Sequence, residues 1–274
     1  MTARPFSATG PPTSGFLNTA ALPLGVQLWS VKNDLARDFD ETLHQLATTG
    51  YTYAETAGYD PDARTIHGRS PELMKQQLDG CGMVPLSAHI PFFSKEEMEP
   101  VLEDVAALGA SCLVIPAIPE DLRHSLDHYK RIADDLNIIG ERAASLGIRL
   151  GYHNHNYEFK MINGLLPYNI LLERTDKETV FFEPDLGWMV QAGQAPEALF
   201  NTFPGRFLLW HLRDVNAGGA AVNVGEGVVN FHLLHQMKKQ AGFLCGIVET
   251  PSAATDGMNR VIASFNYIRK EQLY

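Results

Sequence analysis

The chain reads as a single α/β domain, a (β/α)8 TIM barrel, on three observations: eight apolar runs of strand length, a helix-length segment after each, and no linker dividing the series. The runs open at Leu24 (LGVQLWS), Tyr51 (YTYAET), Val84 (VPLSAHI), Cys112 (CLVIP), Ile148 (IRLGYHNH), Val180 (VFFEPD), Phe207 (FLLWHLRD) and Cys245 (CGIVET). Their starts recur at intervals of roughly 30 residues, room for one strand and one crossover helix. Ser70-Pro71 spells an N-cap followed by proline at the first helical position, and Gly109, Gly147 and Gly242 stand where a helix must stop before the next strand. Tyr129, Ile132, Leu136, Ile139, Ala143 and Leu146 form a helical stripe. An open doubly wound sheet is the rival architecture. No G-x-G-x-x-G follows the first run, however, and closure leaves no edge strand to protect. The barrel spans 24–274, and residues 1–23, rich in Thr, Ser, Pro and Gly, are expected to form a flexible arm.

The 274 residues suit one such barrel. With 22 Lys+Arg against 32 Asp+Glu, the net charge of −10 repels phosphate backbones, so no nucleic-acid partner is expected. The first residues carry no apolar segment behind a basic one, and no window approaches about 18 uninterrupted apolar residues. A cytoplasmic protein without a membrane anchor is the expectation. Cys81, Cys112 and Cys245 are odd in number and far apart, and two sit in apolar runs, which predicts free thiols.

The carboxyl ends of barrel strands converge on one mouth, and residues two apart on a strand share a side. His153 and His155 pair in this way on the fifth run, Glu183 and Asp185 on the sixth, His211 and Arg213 on the seventh, and Ile247 and Glu249 on the eighth. Several ionised carboxylates in one low-dielectric cavity repel one another unless a cation joins them. Carboxylate oxygens with neutral imidazoles suit Mn²⁺, Mg²⁺, Co²⁺ or Zn²⁺, and the lack of thiolates argues against a structural zinc site. Singly, a strand-end His is more often a packing residue, and Asp185 or Asp214 a helix cap. Four adjacent strands ending in Asp, Glu or His shift the balance to a divalent metal.

YHNHNYEF (Tyr152 to Phe159), VFFEPDLGWMVQAG (Val180 to Gly193), HLRD (His211 to Asp214), VGEG (Val224 to Gly227), IVET (Ile247 to Thr250) and the opening GVQLWSVKNDLARD (Gly25 to Asp38) together resemble the sugar phosphate isomerase/epimerase family. This is part of the xylose isomerase-like barrel superfamily. The resemblance covers about residues 24 to 270 and implies a metal-dependent enzyme acting on a sugar, polyol or keto-sugar, in a family whose members are often homo-oligomers. Its usual ligands are Glu, Asp, His and Glu on the fifth to eighth strands, and by position the last three become Asp185, His211 and Glu249. The fifth strand departs from that pattern. It offers His153-Asn154-His155 with Glu158 beyond, so either His153 or Glu158 supplies the fourth ligand.

The resemblance leaves two reactions open: isomerisation or epimerisation of a sugar through an enediolate, and elimination of water or an aglycone from a keto-sugar, keto-glycoside or inositol derivative. The missing glutamate on the fifth strand favours the second slightly. A barrel that binds sugar without catalysis is the non-enzymatic alternative. For the proton transfer, Glu158 and Glu249 lead, with His155 as an alternative acid or base. Trp29, Trp188 and Tyr152 are expected to cover apolar sugar faces. Gln27, Glu55 and His89 are expected to meet hydroxyls, and Arg213 a hydroxyl or a phosphate. Glu226, in the glycine-rich Gly225 to Gly227 loop, is expected on a mobile cover.

Overall fold

The computed structural model describes residues 24–92, 94–251 and 256–274, so the expected arm over 1–23 lies outside the described residues. Eight parallel strands form one sheet: β1 (Leu24–Gln27), β2 (Tyr53–Thr56), β3 (Val84–His89), β4 (Cys112–Ile115), β5 (Arg149–His153), β6 (Val180–Glu183), β7 (Leu209–Leu212) and β8 (Cys245–Val248). They pair in the order β6-β5-β4-β3-β2-β1-β8-β7. Isolated bridges at Phe182–Phe207 and Asp185–His211 bring β6 to β7 and nearly close the ring. All eight strands expected from the apolar runs are present.

Local chemistry places the outer helices. Ser70 accepts the Leu73 N–H and Pro71 opens the helix Pro71–Gly80, while Gly109 and Gly242 end their helices in the left-handed region that glycine enters without strain. The stripe on Leu126–Ser145 is buried except for Leu146, which is exposed at the helix C-cap. No helix among the described residues is long and apolar enough to cross a membrane. None of the three cysteines forms a disulfide among the described residues.

Strand alternation sorts side chains into two cores. Val26, Ala54, Leu113, Leu150, Phe182 and Trp210 face outward and pack under the helices. Tyr53, Leu86, Cys112, Val114, Phe181, Leu209, Cys245 and Ile247 face inward and fill the lumen. Gly151 makes room in that plug: a Cβ there would stand 2.4 Å from the Phe181 ring. The next inward positions toward the carboxyl ends are polar, so an apolar floor carries a polar layer.

Candidate metal centre

Glu55 anchors the deepest polar level. Its Oε1 accepts from Gln27 Nε2 at 2.8 Å and His211 Nε2 at 2.5 Å, and its Oε2 accepts from Ser87 Oγ at 2.5 Å. His89 Nε2 lies 3.0 Å from the same Oε1 and donates to Glu183 Oε2 at 2.8 Å. His211 Nδ1 faces Glu249 Oε2 at 2.8 Å, so both its ring nitrogens meet carboxylates. Arg213 completes the rim, with Nε 2.7 Å from Asp185 Oδ2 and Nη2 2.7 Å from Glu249 Oε2. Asp185 combines two roles: its Oδ1 also caps the helix Leu186–Gln191 by accepting the Trp188 N–H at 2.8 Å.

Burial sets the electrostatics. It would raise the Glu55 carboxyl, but His89 and His211 hold it below the usual range. Glu183, buried and facing Glu55, is pushed up to about 7, and Asp185 to about 6, with burial the leading cause of each. Burial opposes charge on His89, yet Glu55 and Glu183 raise it to about 9; His211 is likewise held well up by its three carboxylates. His153 is driven well down by burial and its histidine neighbours. A neutral imidazole is the form that binds metal.

Two sets of ligand atoms lie within 4.8 Å of one another: His153, Asp185, His211 and Glu249 toward the rim, and His89, His153, Glu183 and His211 below them. His153 Nδ1 is buried without a hydrogen-bond partner among the described residues, as is Glu183 Oε1. Orphaned donor atoms inside a compact carboxylate and imidazole cluster fit a divalent cation.

Above the cluster opens a cavity of about 350 Å³, lined by Trp29, Tyr59, His89, His153, His155 and Glu249 among others. Trp29 is 39% exposed at its edge. His155 stacks on Tyr157 with ring centroids 5.6 Å apart and tilts against Trp188. Burial pushes it down to about 4.

Three expected positions differ. Tyr152 and Glu158 do not face the mouth: Tyr152 points opposite to His153 by strand alternation, and its hydroxyl donates to Glu158 Oε1 at 2.6 Å in the wall. Glu158 belongs to neither ligand set. Its Oε2 accepts the His155 backbone N–H at 3.0 Å. Glu226 is exposed and accepts from Asn223 Nδ2 at 3.1 Å, away from the cavity lining. The loop around it is not loose, because the buried Asp214 carboxylate accepts the N–H groups of Val215, Gly225, Gly227 and Val229 at 2.9 to 3.1 Å. Asp214 is thus a loop anchor and caps no helix.

Sequence reasoning missed Ser87, and Asn154 as the acceptor of the Asp185 N–H at 3.2 Å. Inward parity could have flagged Ser87; nothing local marks Asn154. It also placed His89 with hydroxyls and Glu183 in no ligand set, although both join the deeper one.

Burying Glu158 has a measurable consequence. Its carboxyl is raised from 4.5 to about 7, chiefly by burial, so folding favours the neutral form. That contribution is full below pH 4.5 and is lost as pH rises through about 7. Between these limits the unfolding free energy is expected to fall by about 3 kcal/mol on this account. Glu158→Gln should flatten that part of the urea-unfolding profile while keeping metal binding; an unchanged profile would contradict the assignment.

A family profile described as a xylose isomerase-like TIM barrel matches residues 43–270. An inosose dehydratase of Clostridium beijerinckii is 23% identical over 224 residues, covering 73% of this chain and 74% of its own. The crystal structure of a sugar phosphate isomerase/epimerase from Parabacteroides distasonis superposes with a TM-score of 0.82 at 27% identity, over 92% of this chain and 95% of that one. A xylose isomerase-like TIM barrel protein from Mycobacterium smegmatis in complex with magnesium shares the fold, with a TM-score of 0.66 at 15% identity over 91% and 96% of the two chains.

Proposed function

Because the chain belongs to the xylose isomerase-like TIM barrel family, we propose that it is a divalent-metal-dependent dehydratase acting on a keto-sugar or keto-inositol. The observation that carries the reading is the turning of Glu158 into the wall, which leaves Glu249 as the one carboxylate lining the cavity among the described residues, beside imidazoles. Epimerisation between two opposed carboxylates has no second partner among the described residues, whereas elimination needs a single base. The inosose dehydratase relative supports the same choice.

His153, Asp185, His211 and Glu249 would hold the ion. When bound, a divalent cation stabilises negative charge developing on a substrate carbonyl oxygen. Arg213 positions two of the ligands by holding the Asp185 and Glu249 carboxylates together. His155, neutral and lining the cavity, takes the proton from the carbon next to the carbonyl. The C–O bond to the neighbouring hydroxyl breaks, and the imidazolium returns the proton to the departing oxygen, releasing water. Trp29, at the cavity edge, bounds the substrate's apolar face, while Trp188, expected in the same role, is not in the cavity lining and packs against His155.

Protein loaded with Mn²⁺ and given keto-inositols and keto-sugars is expected to yield a product lighter by one water. His155→Gln should lower kcat by about 10²- to 10⁴-fold with metal content unchanged. Isomerisation is the second reading, favoured by the likeness to the Parabacteroides distasonis structure. A product of unchanged mass carrying deuterium from D₂O would establish it instead, and no turnover of any of these compounds would leave a binding barrel.

A further inference from the structure

His89, His153, Glu183 and His211 form a group of ligand atoms that the proposed reaction does not use as a set. None of the four is more than 8% exposed. Glu183 Oε2 stands 2.8 Å from His89 Nε2, 3.2 Å from His211 Nε2 and 3.4 Å from His153 Nδ1. Donors bonded at about 2.0–2.1 Å to a tetrahedral ion stand about 3.3 Å apart, so only small shifts separate this arrangement from a coordination shell. Two buried atoms of the group, His153 Nδ1 and Glu183 Oε1, have no hydrogen-bond partner among the described residues. His211 turns Nε2 to this group and Nδ1 to Glu249, and both it and His153 belong to the two ligand sets.

We propose that these four side chains form a second divalent-cation site, at the floor of the cavity, that takes Zn²⁺ or Co²⁺ in preference to Mg²⁺. The donor chemistry sets the preference. Three imidazoles and one carboxylate, all buried, match a tetrahedral borderline-soft ion, whereas Mg²⁺ calls for six oxygens and keeps its waters. Charge agrees, because a doubly charged ion balances the buried carboxylates of Glu183 and Glu55, the latter fixed beside the group by Gln27 and Ser87. The site shares His153 and His211 with the rim set and is set apart by His89 and Glu183, and it does not depend on which reaction the rim supports.

Equilibrium dialysis of the full chain against Zn²⁺ alone tests it. Asp185→Asn, which alters only the rim set, should retain Zn²⁺ within a few-fold. In the Asp185→Asn background, Glu183→Gln should weaken binding by about 100-fold or more. Asp185→Asn protein loaded with Co²⁺ should show the intense visible absorption of a tetrahedral ion, which decides the question even if Glu183→Gln fails to fold. Zn²⁺ binding indifferent to Glu183→Gln, or a weak six-coordinate Co²⁺ spectrum, overturns the proposal and leaves the rim reading standing. Zn²⁺ bound through Glu183 without Mn²⁺-dependent turnover upholds this site and overturns the dehydratase reading alone.

Discussion

A His211→Gln variant is expected to lose divalent-cation binding by about 100-fold or more, and catalytic turnover with it. Among the described residues, His211 is the single side chain that faces Glu55, Glu183 and Glu249 at once, at 2.5, 3.2 and 2.8 Å. It also belongs to both ligand sets. Without metal its imidazolium is the positive charge shared by three buried carboxylates, and a neutral amide cannot replace it. Breaking a buried ion pair on one side costs about 3–5 kcal/mol, so the variant should unfold at markedly lower urea when chelator is present. The sign with pH follows from the raised imidazole. The stabilisation is fully present below the unfolded histidine value near 6.5 and is lost only as pH climbs through the higher folded value. Wild type and variant should therefore differ most in acid to neutral solution and converge in alkali. Equal stability at pH 6 in chelator would contradict the charge network.

Asp214→Ala is expected to cost about 3–5 kcal/mol, or roughly 10 °C in Tm, without touching any metal-ligating atom. The Asp214 carboxylate accepts four backbone N–H groups across residues 215–229. Truncation leaves those donors without an acceptor where water reaches poorly. Asp214→Asn should rescue little, because an amide nitrogen in place of one oxygen turns a donor toward N–H donors. Gly227 is part of the same device, since a Cβ there would lie 2.2 Å from the Asp214 carboxylate. Amide exchange in Val224 to Val229 should accelerate in the variant; unchanged protection would show that the loop is held by something else.

Much of this protein was legible in one dimension. The period of apolar runs specified eight strands, because a strand and its crossover helix occupy a nearly constant length of chain. The alternation of side chains specified which of His153, Asp185, His211 and Glu249 share the mouth, since parity on a strand is local geometry. What sequence could not assign was the destination of residues beyond the strand ends. Glu158 and Glu226 leave the pleat, so their direction depends on loops and on neighbours far along the chain. Tyr152 supplies the hydroxyl that draws Glu158 into the wall, and Asp214 pins the loop that carries Glu226. Only closure of the ring brings Glu55 and His89 against Glu183 and His211, 94 to 156 residues away. Contacts made by hydrogen bonds between distant strands are decided by register around the whole barrel, and register is a property of the assembled sheet that no single segment contains.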